Sequence, residues 1–239
     1  MKVQFTGTGA ADWPRRAGET EERVLQSLTI DGCLLVDANS YASTEGILGV
    51  VQSHSHDDHF DRKTIDRLPV GTPFLGDAVF EKLLRGSPCR FLCAEIGKPV
   101  EIAGYRVTPF AANHTTDDPD EQPMCYIIEK DGKTVFYGCD GASFTCRTWK
   151  QIRDRHFDLM ICDGTFGETP GDVRIFEHND LRSAEAICQT VYNVKMLNEG
   201  GKIIFSHFSR NHQLHGDELR KRFAEMGALT ADDGMILNI

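Results

Sequence analysis

The sequence predicts an α/β fold in which helices flank two β-sheets, a four-layer αββα sandwich. Three observations lead there: two β-rich stretches each followed by helical segments, Asp-Gly dipeptides set between apolar runs as hairpin turns, and a C-terminal third in which helix and strand alternate. With 239 residues, 40 % of them hydrophobic, the chain suffices for one domain, residues 1–239, around a sizeable core.

Taken in order, residues 3–5 read as a strand, and Ser27–Ile30 pairs with 33–36 as a hairpin about Asp31-Gly32. Residues 50–52 form a short strand that runs into a histidine cluster, and 78–84 have the spacing of a short helix. Strands follow at 105–109 and 124–129, the second turned by Asp131-Gly132 into a strand at 134–138. Residues 144–155 are expected as helix and 159–162 as strand. A long amphipathic helix is expected over 181–197, stopped by Gly200-Gly201, with a strand at 202–205. Residues 216–226 are helical and 235–239 close the chain as a strand.

Composition narrows the function. There are 36 acidic against 26 basic side chains, a formal charge of −10, and no basic run stands out. Nonspecific affinity for nucleic acid or an anionic membrane rests on surplus Lys and Arg, so both partners are disfavoured. No apolar run is long enough to span a bilayer and no leader pattern precedes the first strand, so a soluble, cytoplasmic protein is expected. The eight cysteines lack C-x-x-C pairs and are expected as reduced, mostly apolar fillers; Cys139, beside Asp140, is the one expected to line a site.

The densest chemical signal is Ser53-His54-Ser55-His56-Asp57-Asp58-His59 directly after a strand. Residues two apart on an extended chain share a face, so His54 and His56 converge, and a following turn brings Asp58 and His59 to an adjacent point. Imidazole and carboxylate without cysteine suit a divalent ion in a site open to water rather than a structural zinc finger. The alternative is a solvated His/Asp-rich loop. His114, Asp140 and His207 each follow another apolar strand-like run, although singly each also reads as an ordinary loop, turn or surface residue.

This order of residues resembles the metallo-β-lactamase superfamily along nearly the whole chain. The resemblance implies the αββα sandwich of metallo-β-lactamase type and two divalent ions, zinc foremost, with manganese or iron as alternatives. It also implies the ligands: His54, His56 and His114 on one ion, Asp58, His59 and His207 on the second, and Asp140 between them, with room for a bridging water. A carboxylate bridge resembles the phosphodiesterases, nucleases and thioesterases of the superfamily more than the antibiotic-hydrolysing members. Gly7-Thr8-Gly9-Ala10-Ala11, Glu177-His178-Asn179-Asp180-Leu181 and Asp233-Gly234-Met235 look like the branch of the cyclic ribosyl phosphate phosphodiesterases, with the tRNA end-processing endoribonucleases more distant.

In that branch a histidine paired with an acid serves the leaving group, and the matching residues are His178 and Asp163; Asp58 is the further catalytic carboxylate. A structural role is the alternative, a helix cap at Asn179 or Asp180 and a turn at Asp163-Gly164. Two departures stand out. Asp12-Trp13-Pro14-Arg15-Arg16 has no cysteine for the extra zinc of the accessory enzymes, and the long arm by which the endonucleases grip tRNA has no counterpart. Ser209 or Arg210 is expected near a substrate phosphate, or else in a solvated loop. Asp37 is expected to orient a ligand. Trp13, Arg15, Arg16, Tyr41 and the acidic stretch 115–123 are candidates for the pocket rim, whereas His156, His212 and His215 read as surface or helix residues. The implied activity is hydrolysis of a small or cyclic phosphodiester. A thioesterase or lactonase on the same scaffold, and a metal- and ligand-binding protein without turnover, remain as rivals. A homodimer is implied by resemblance alone.

Overall fold

A computed structural model describes residues 1–12, 22–168 and 173–239. Among them are two seven-stranded mixed sheets. The first contains β1 (Lys2–Gly7), β2 (Ser27–Ile30), β3 (Leu34–Val36), β4 (Gly49–Val51), β5 (Pro73–Gly76), β6 (Arg90–Cys93) and β14 (Ile236–Asn238), with β14 beside β1 at one edge and the rest in sequence order. The second contains β7 (Val100–Ile102), β8 (Tyr105–Ala111), β9 (Met124–Lys130), β10 (Lys133–Gly138), β11 (Phe157–Asp163), β12 (Leu197–Ser206) and β13 (Leu229–Thr230), again in sequence order. Each begins with antiparallel pairings and becomes parallel, from β3 onward in one and from β10 onward in the other.

Period-2 alternation of apolar side chains builds the layers. Val36, Val51 and Leu75 of the first sheet meet Tyr126, Tyr137 and Ile161 of the second in the central core. Their neighbours Leu35, Val50 and Phe74 point outward, where Ile65 of α1 (Arg62–Ile65) and Phe80 of α2 (Phe80–Leu83) cover them. Ile127, Phe136, Met160 and Phe205 face the other way. They pack under α3 (Cys146–Ile152), α4 (Leu181–Asn193) and α5 (Gly216–Glu225). Three apolar interfaces separate four layers, the αββα sandwich that the sequence predicts. No helix among the described residues is long and apolar enough to cross a membrane.

Local chemistry sets the boundaries. Both Asp-Gly turns adopt left-handed backbones, with φ of 51° and 69° at Asp31-Gly32 and 50° and 74° at Asp131-Gly132, the geometry of a type I′ hairpin. Asp180 caps α4 in a capping box with Ser183. That helix ends at Asn193 and not at 197, because the amides of Lys195 and Met196 bond back to the carbonyls of Tyr192 and Val191 around a left-handed Lys195 (φ 57°). This is a Schellman closure with lysine where glycine is usual. Gly200 and Gly201 therefore stop no helix. They lie in β12, where the pairing register with β11 slips, and a Cβ on Gly201 would stand 2.6 Å from the Phe157 carbonyl oxygen. The helix expected over 144–155 is confined to α3, capped by Thr145, whose hydroxyl accepts from the Thr148 amide. The sequence reading also missed β5, β6, β7 and β13, strands of two to four residues too short to show a period.

Ile161, fully buried in the central core, is expected to lower the unfolding free energy by about 2–5 kcal/mol when cut to alanine, as followed in urea. Ile236→Ala, at a position 47 % exposed, should cost less than about 0.5 kcal/mol in the same assay.

Candidate metal centre

The carboxyl ends of β4, β8, β10, β11 and β12 deliver His54 to His59, His114, Asp140, Asp163 and His207 to one place, the usual position of ligand sites in open α/β sheets. Gln52 fixes the first loop: its side-chain amide donates to the carbonyls of His54 and His59 at 2.9 Å, and its oxygen accepts from the Ala38 amide at 3.1 Å. His207 takes a left-handed backbone (φ 63°) where β12 ends, and Phe208 then bridges to Gly9 of the N-terminal loop.

Among the described residues the seven expected ligands offer two sets of donor atoms, and Asp140, Asp163, His178 and His207 form a further cluster of possible ligand atoms. In the first, His56 Nδ1 lies 3.1 Å from His54 Nε2 and 3.3 Å from His114 Nε2, and Asp140 Oδ2 lies 3.6 Å from His114 Nε2. In the second, Asp58 Oδ2 lies 3.2 Å from His207 Nε2 and 3.6 Å from His59 Nε2. Asp140 Oδ2 closes this set at 3.5 and 3.8 Å from the same two nitrogens. A tetrahedral ion with bonds of about 2.0–2.2 Å has ligand-to-ligand edges of about 3.3–3.6 Å, so these separations fit a divalent cation. All seven residues expected as ligands are brought together, and one oxygen, Asp140 Oδ2, belongs to both sets.

The far side of each ring decides which nitrogen carries a lone pair inward. His59 Nδ1 donates to Asp37 Oδ2 at 2.8 Å, His114 Nδ1 donates to the Glu177 carbonyl at 3.2 Å, and His54 Nδ1 meets the Ser53 hydroxyl at 2.9 Å. The Ser53 hydroxyl donates onward to Asp37 Oδ1 at 2.8 Å, so Asp37, itself fully buried, orients two of the imidazoles, as expected for it. His59 Nε2 is left buried without a hydrogen-bond partner among the described residues. The carboxylates of Asp58 and Asp37 raise the pKa of this imidazole against burial, and the same negative charge favours a cation on its Nε2.

Burial, reinforced by the neighbouring rings of His59 and His114, holds His54 well below the ordinary imidazole range, in the neutral form that ligates. Burial opposes ionisation of Asp58, but His59 and His207 outweigh it and bring the carboxyl down to about 2. Asp140 is likewise held well below the usual carboxylate range, against burial, by His178, His207 and His114.

Beside the donors stands the expected acid pair. His178 Nδ1 lies 3.1 Å from Asp163 Oδ2 and only 2.6 Å from Asp140 Oδ1, a second partner not anticipated from sequence. Burial would lower its pKa, yet the two carboxylates push it up to about 10. Asp163, fully buried, also accepts from the amides of Thr165 and Asn179, while Asn179 donates its side-chain amide to the Asp163 carbonyl. The capping role falls to Asp180, so the structural and site roles of this segment rest on adjacent residues.

A cavity of about 440 Å³ opens over this group, lined by His56, Asp58, Asp140, His178 and His207 among others. Ser209 lines it too, with its hydroxyl donating to Asp12 Oδ2 at 2.7 Å. Arg210 does not line it. The Asp12 carboxylate draws in the amides of Arg210 and Asn211 and holds their turn to the N-terminal loop. Among the described residues, the arginine that lines the cavity is Arg174, whose guanidinium sits 5.0 Å over the Phe166 ring. Asp12, Thr165 and Arg174 were missed from sequence, since each is one ordinary residue whose partners are distant along the chain. Of the expected rim, Asp117 lines the cavity, Tyr41 does not, and Trp13, Arg15 and Arg16 fall outside the described residues. Cys139, expected at a site, is instead fully buried in the central core, since its side chain points between the sheets.

A family model described as the beta-lactamase superfamily domain matches residues 34–197, and the chain belongs to this metallo-β-lactamase superfamily. No curated protein sequence matches it. Among solved structures it is similar to Zn(2+)-bound PqqB from Methylobacterium extorquens, at 17 % identity over all of both chains with a TM-score of 0.78. It is also similar to the metallo-beta-lactamase fold protein YhfI from Bacillus subtilis, at 17 % identity over 99 % of each chain with a TM-score of 0.72. The short form of human tRNase Z is 14 % identical over 100 % of this chain and 99 % of its own, with a TM-score of 0.68. At these identities the structures attest the shared fold.

Asp37→Asn retains the volume but weakens the charged acceptor behind His59 and Ser53. Zinc affinity, read by competition with a chromophoric chelator, is expected to fall about 10–100-fold while the fold persists by circular dichroism. Unchanged affinity would show that Asp37 supports the core alone.

Proposed function

We propose that this metal-dependent hydrolase is a binuclear phosphodiesterase acting on a small or cyclic phosphodiester. The observation that carries the reading is His178, 13 % exposed on the cavity wall, with its Nδ1 held by Asp163 and Asp140 beside two donor sets that share Asp140. His54, His56, His114 and Asp140 would hold one ion, and Asp58, His59, His207 and Asp140 the other. When bound, such ions polarise a phosphoryl oxygen and bring the pKa of water toward neutrality.

The chain supplies the rest. Asp58 is placed to accept a hydrogen bond from the attacking water and align it. With Nδ1 engaged by carboxylates, His178 has Nε2 to donate to the oxygen that leaves phosphorus. An alkoxide is a poor leaving group, and a positioned acid lowers its barrier by giving it a proton as it departs. Asp163 keeps the imidazolium charged and its ring fixed. A cavity of about 440 Å³ suits a small molecule. The −10 formal charge disfavours a long polyanion.

Elemental analysis of zinc-loaded protein should find two ions per chain, and bis(p-nitrophenyl) phosphate should be turned over. In His178→Ala, kcat is expected to drop about 10²–10⁴-fold with the metal content unchanged. Full activity in that variant would remove the proposed acid. Faster turnover of a thioester than of any phosphodiester would move the chain to the rival hydrolase chemistry.

A further inference from the structure

Thr165 lies two residues beyond Asp163, just past the end of β11, and is 3 % exposed. Its hydroxyl oxygen is surrounded by four polar atoms from three parts of the chain. Asp163 Oδ2 and His207 Nδ1 are both at 2.8 Å, the His207 carbonyl oxygen is at 2.9 Å, and His178 Nδ1 is at 3.2 Å.

A hydroxyl has one proton to give and lone pairs to receive others. The carboxylate is the stronger acceptor, so Thr165 donates to Asp163, and a charge-assisted bond of this kind is the favoured of the two available. Its lone pair then takes the proton on His207 Nδ1. That fixes the proton on the outer nitrogen of the ring and turns Nε2 inward as a lone pair, toward Asp58 Oδ2 at 3.2 Å and Asp140 Oδ2 at 3.5 Å. His59 has a carboxylate, Asp37, for the same purpose, but His207 has no carboxylate so near: Asp163 Oδ2 is 3.5 Å from its Nδ1. The threonine hydroxyl fills that gap.

The two rings served by this hydroxyl are also aligned. His178 and His207 are stacked with an 11° interplanar angle and centroids 5.6 Å apart, and both turn Nδ1 to the Thr165–Asp163 pair. We propose that Thr165 is a positioning residue that couples the ligand His207 to the acid His178 through Asp163, so that one hydrogen-bonded unit sets both the metal-binding nitrogen and the proton donor. This rests on the reading of His207 as a ligand given above. A substitution that leaves both histidines in place is then expected to alter both functions together.

The test uses the full chain in three forms: wild type, Thr165→Val, which keeps the branched shape and loses the hydroxyl, and Thr165→Ser, which keeps the hydroxyl and loses the methyl. Zinc is titrated into metal-free protein against a chromophoric chelator, with bis(p-nitrophenyl) phosphate turnover measured alongside. In Thr165→Val one of the two zinc affinities is expected to fall about 10–100-fold while the other is retained, with kcat reduced even at saturating zinc. In Thr165→Ser both quantities are expected to stay within about threefold of wild type, which a packing role for the methyl group would not give. Equal impairment of the serine and valine variants, or wild-type zinc binding and kcat in Thr165→Val, would overturn the assignment while leaving the proposed function intact. A wild-type chain that takes up no second zinc would overturn both. If Thr165→Val does not fold, the serine variant decides: loss of the second zinc in a folded Thr165→Ser chain overturns the role, and its retention supports it.

Discussion

Imidazole and carboxylate lone pairs brought face to face inside a protein repel one another unless positive charge sits between them. The donors gathered at the carboxyl ends of the strands are in that position, with His59 Nε2 buried and without a hydrogen-bond partner among the described residues, and Asp140 Oδ2 within 3.8 Å of nitrogens from both sets. The carboxylates raise the pKa of His59 and His207 against burial, so protons and metal cations compete for the same nitrogens, and the free energy of metal binding is linked to pH and to the stability of the loops that hold the ligands. Much of the surrounding architecture serves to keep those lone pairs pointing inward.

The supports are graded. Asp37 gathers the Ser53 amide and hydroxyl, His59 Nδ1 and the Tyr137 hydroxyl, tying the second sheet to the loop after β4. Asp163 does the same on the other side for Thr165, Asn179 and His178. Asp12 then pins the turn that follows His207 to the N-terminal loop. Three buried or half-buried aspartates, none of them a donor to the two ligand sets, thus hold three separate loops against the same cavity. Because both sheets are stiff, with apolar cores on each face, the loops inherit a fixed frame from the strand ends.

The parts of this arrangement legible in the sequence are those with a local signature. His54 to His59 stand together and follow a strand, and Asp31-Gly32 and Asp131-Gly132 spell their own turns. His114, Asp140 and His207 could be placed because each ends an apolar run and their order resembles a known superfamily. Thr165, Asp12 and Arg174 could not, since a threonine or an aspartate acquires its role from partners far along the chain and carries no mark of it. The end of α4 was misplaced for a different reason: Lys195 takes a conformation that glycine usually takes, so the glycine pair downstream drew the boundary to itself. Ser209 and Arg210 were named together because they follow His207 in sequence; Ser209 lines the cavity, while the amide bond of Arg210 to Asp12 keeps its segment in a turn beside it.

The most direct measurement is anomalous scattering at the zinc edge from crystals grown with excess zinc. Two peaks about 3.5–4 Å apart are predicted, one within bonding distance of His54, His56 and His114, the other of Asp58, His59 and His207, with Asp140 reaching both. A single peak, or zinc bound elsewhere while these side chains keep to themselves, would contradict the account.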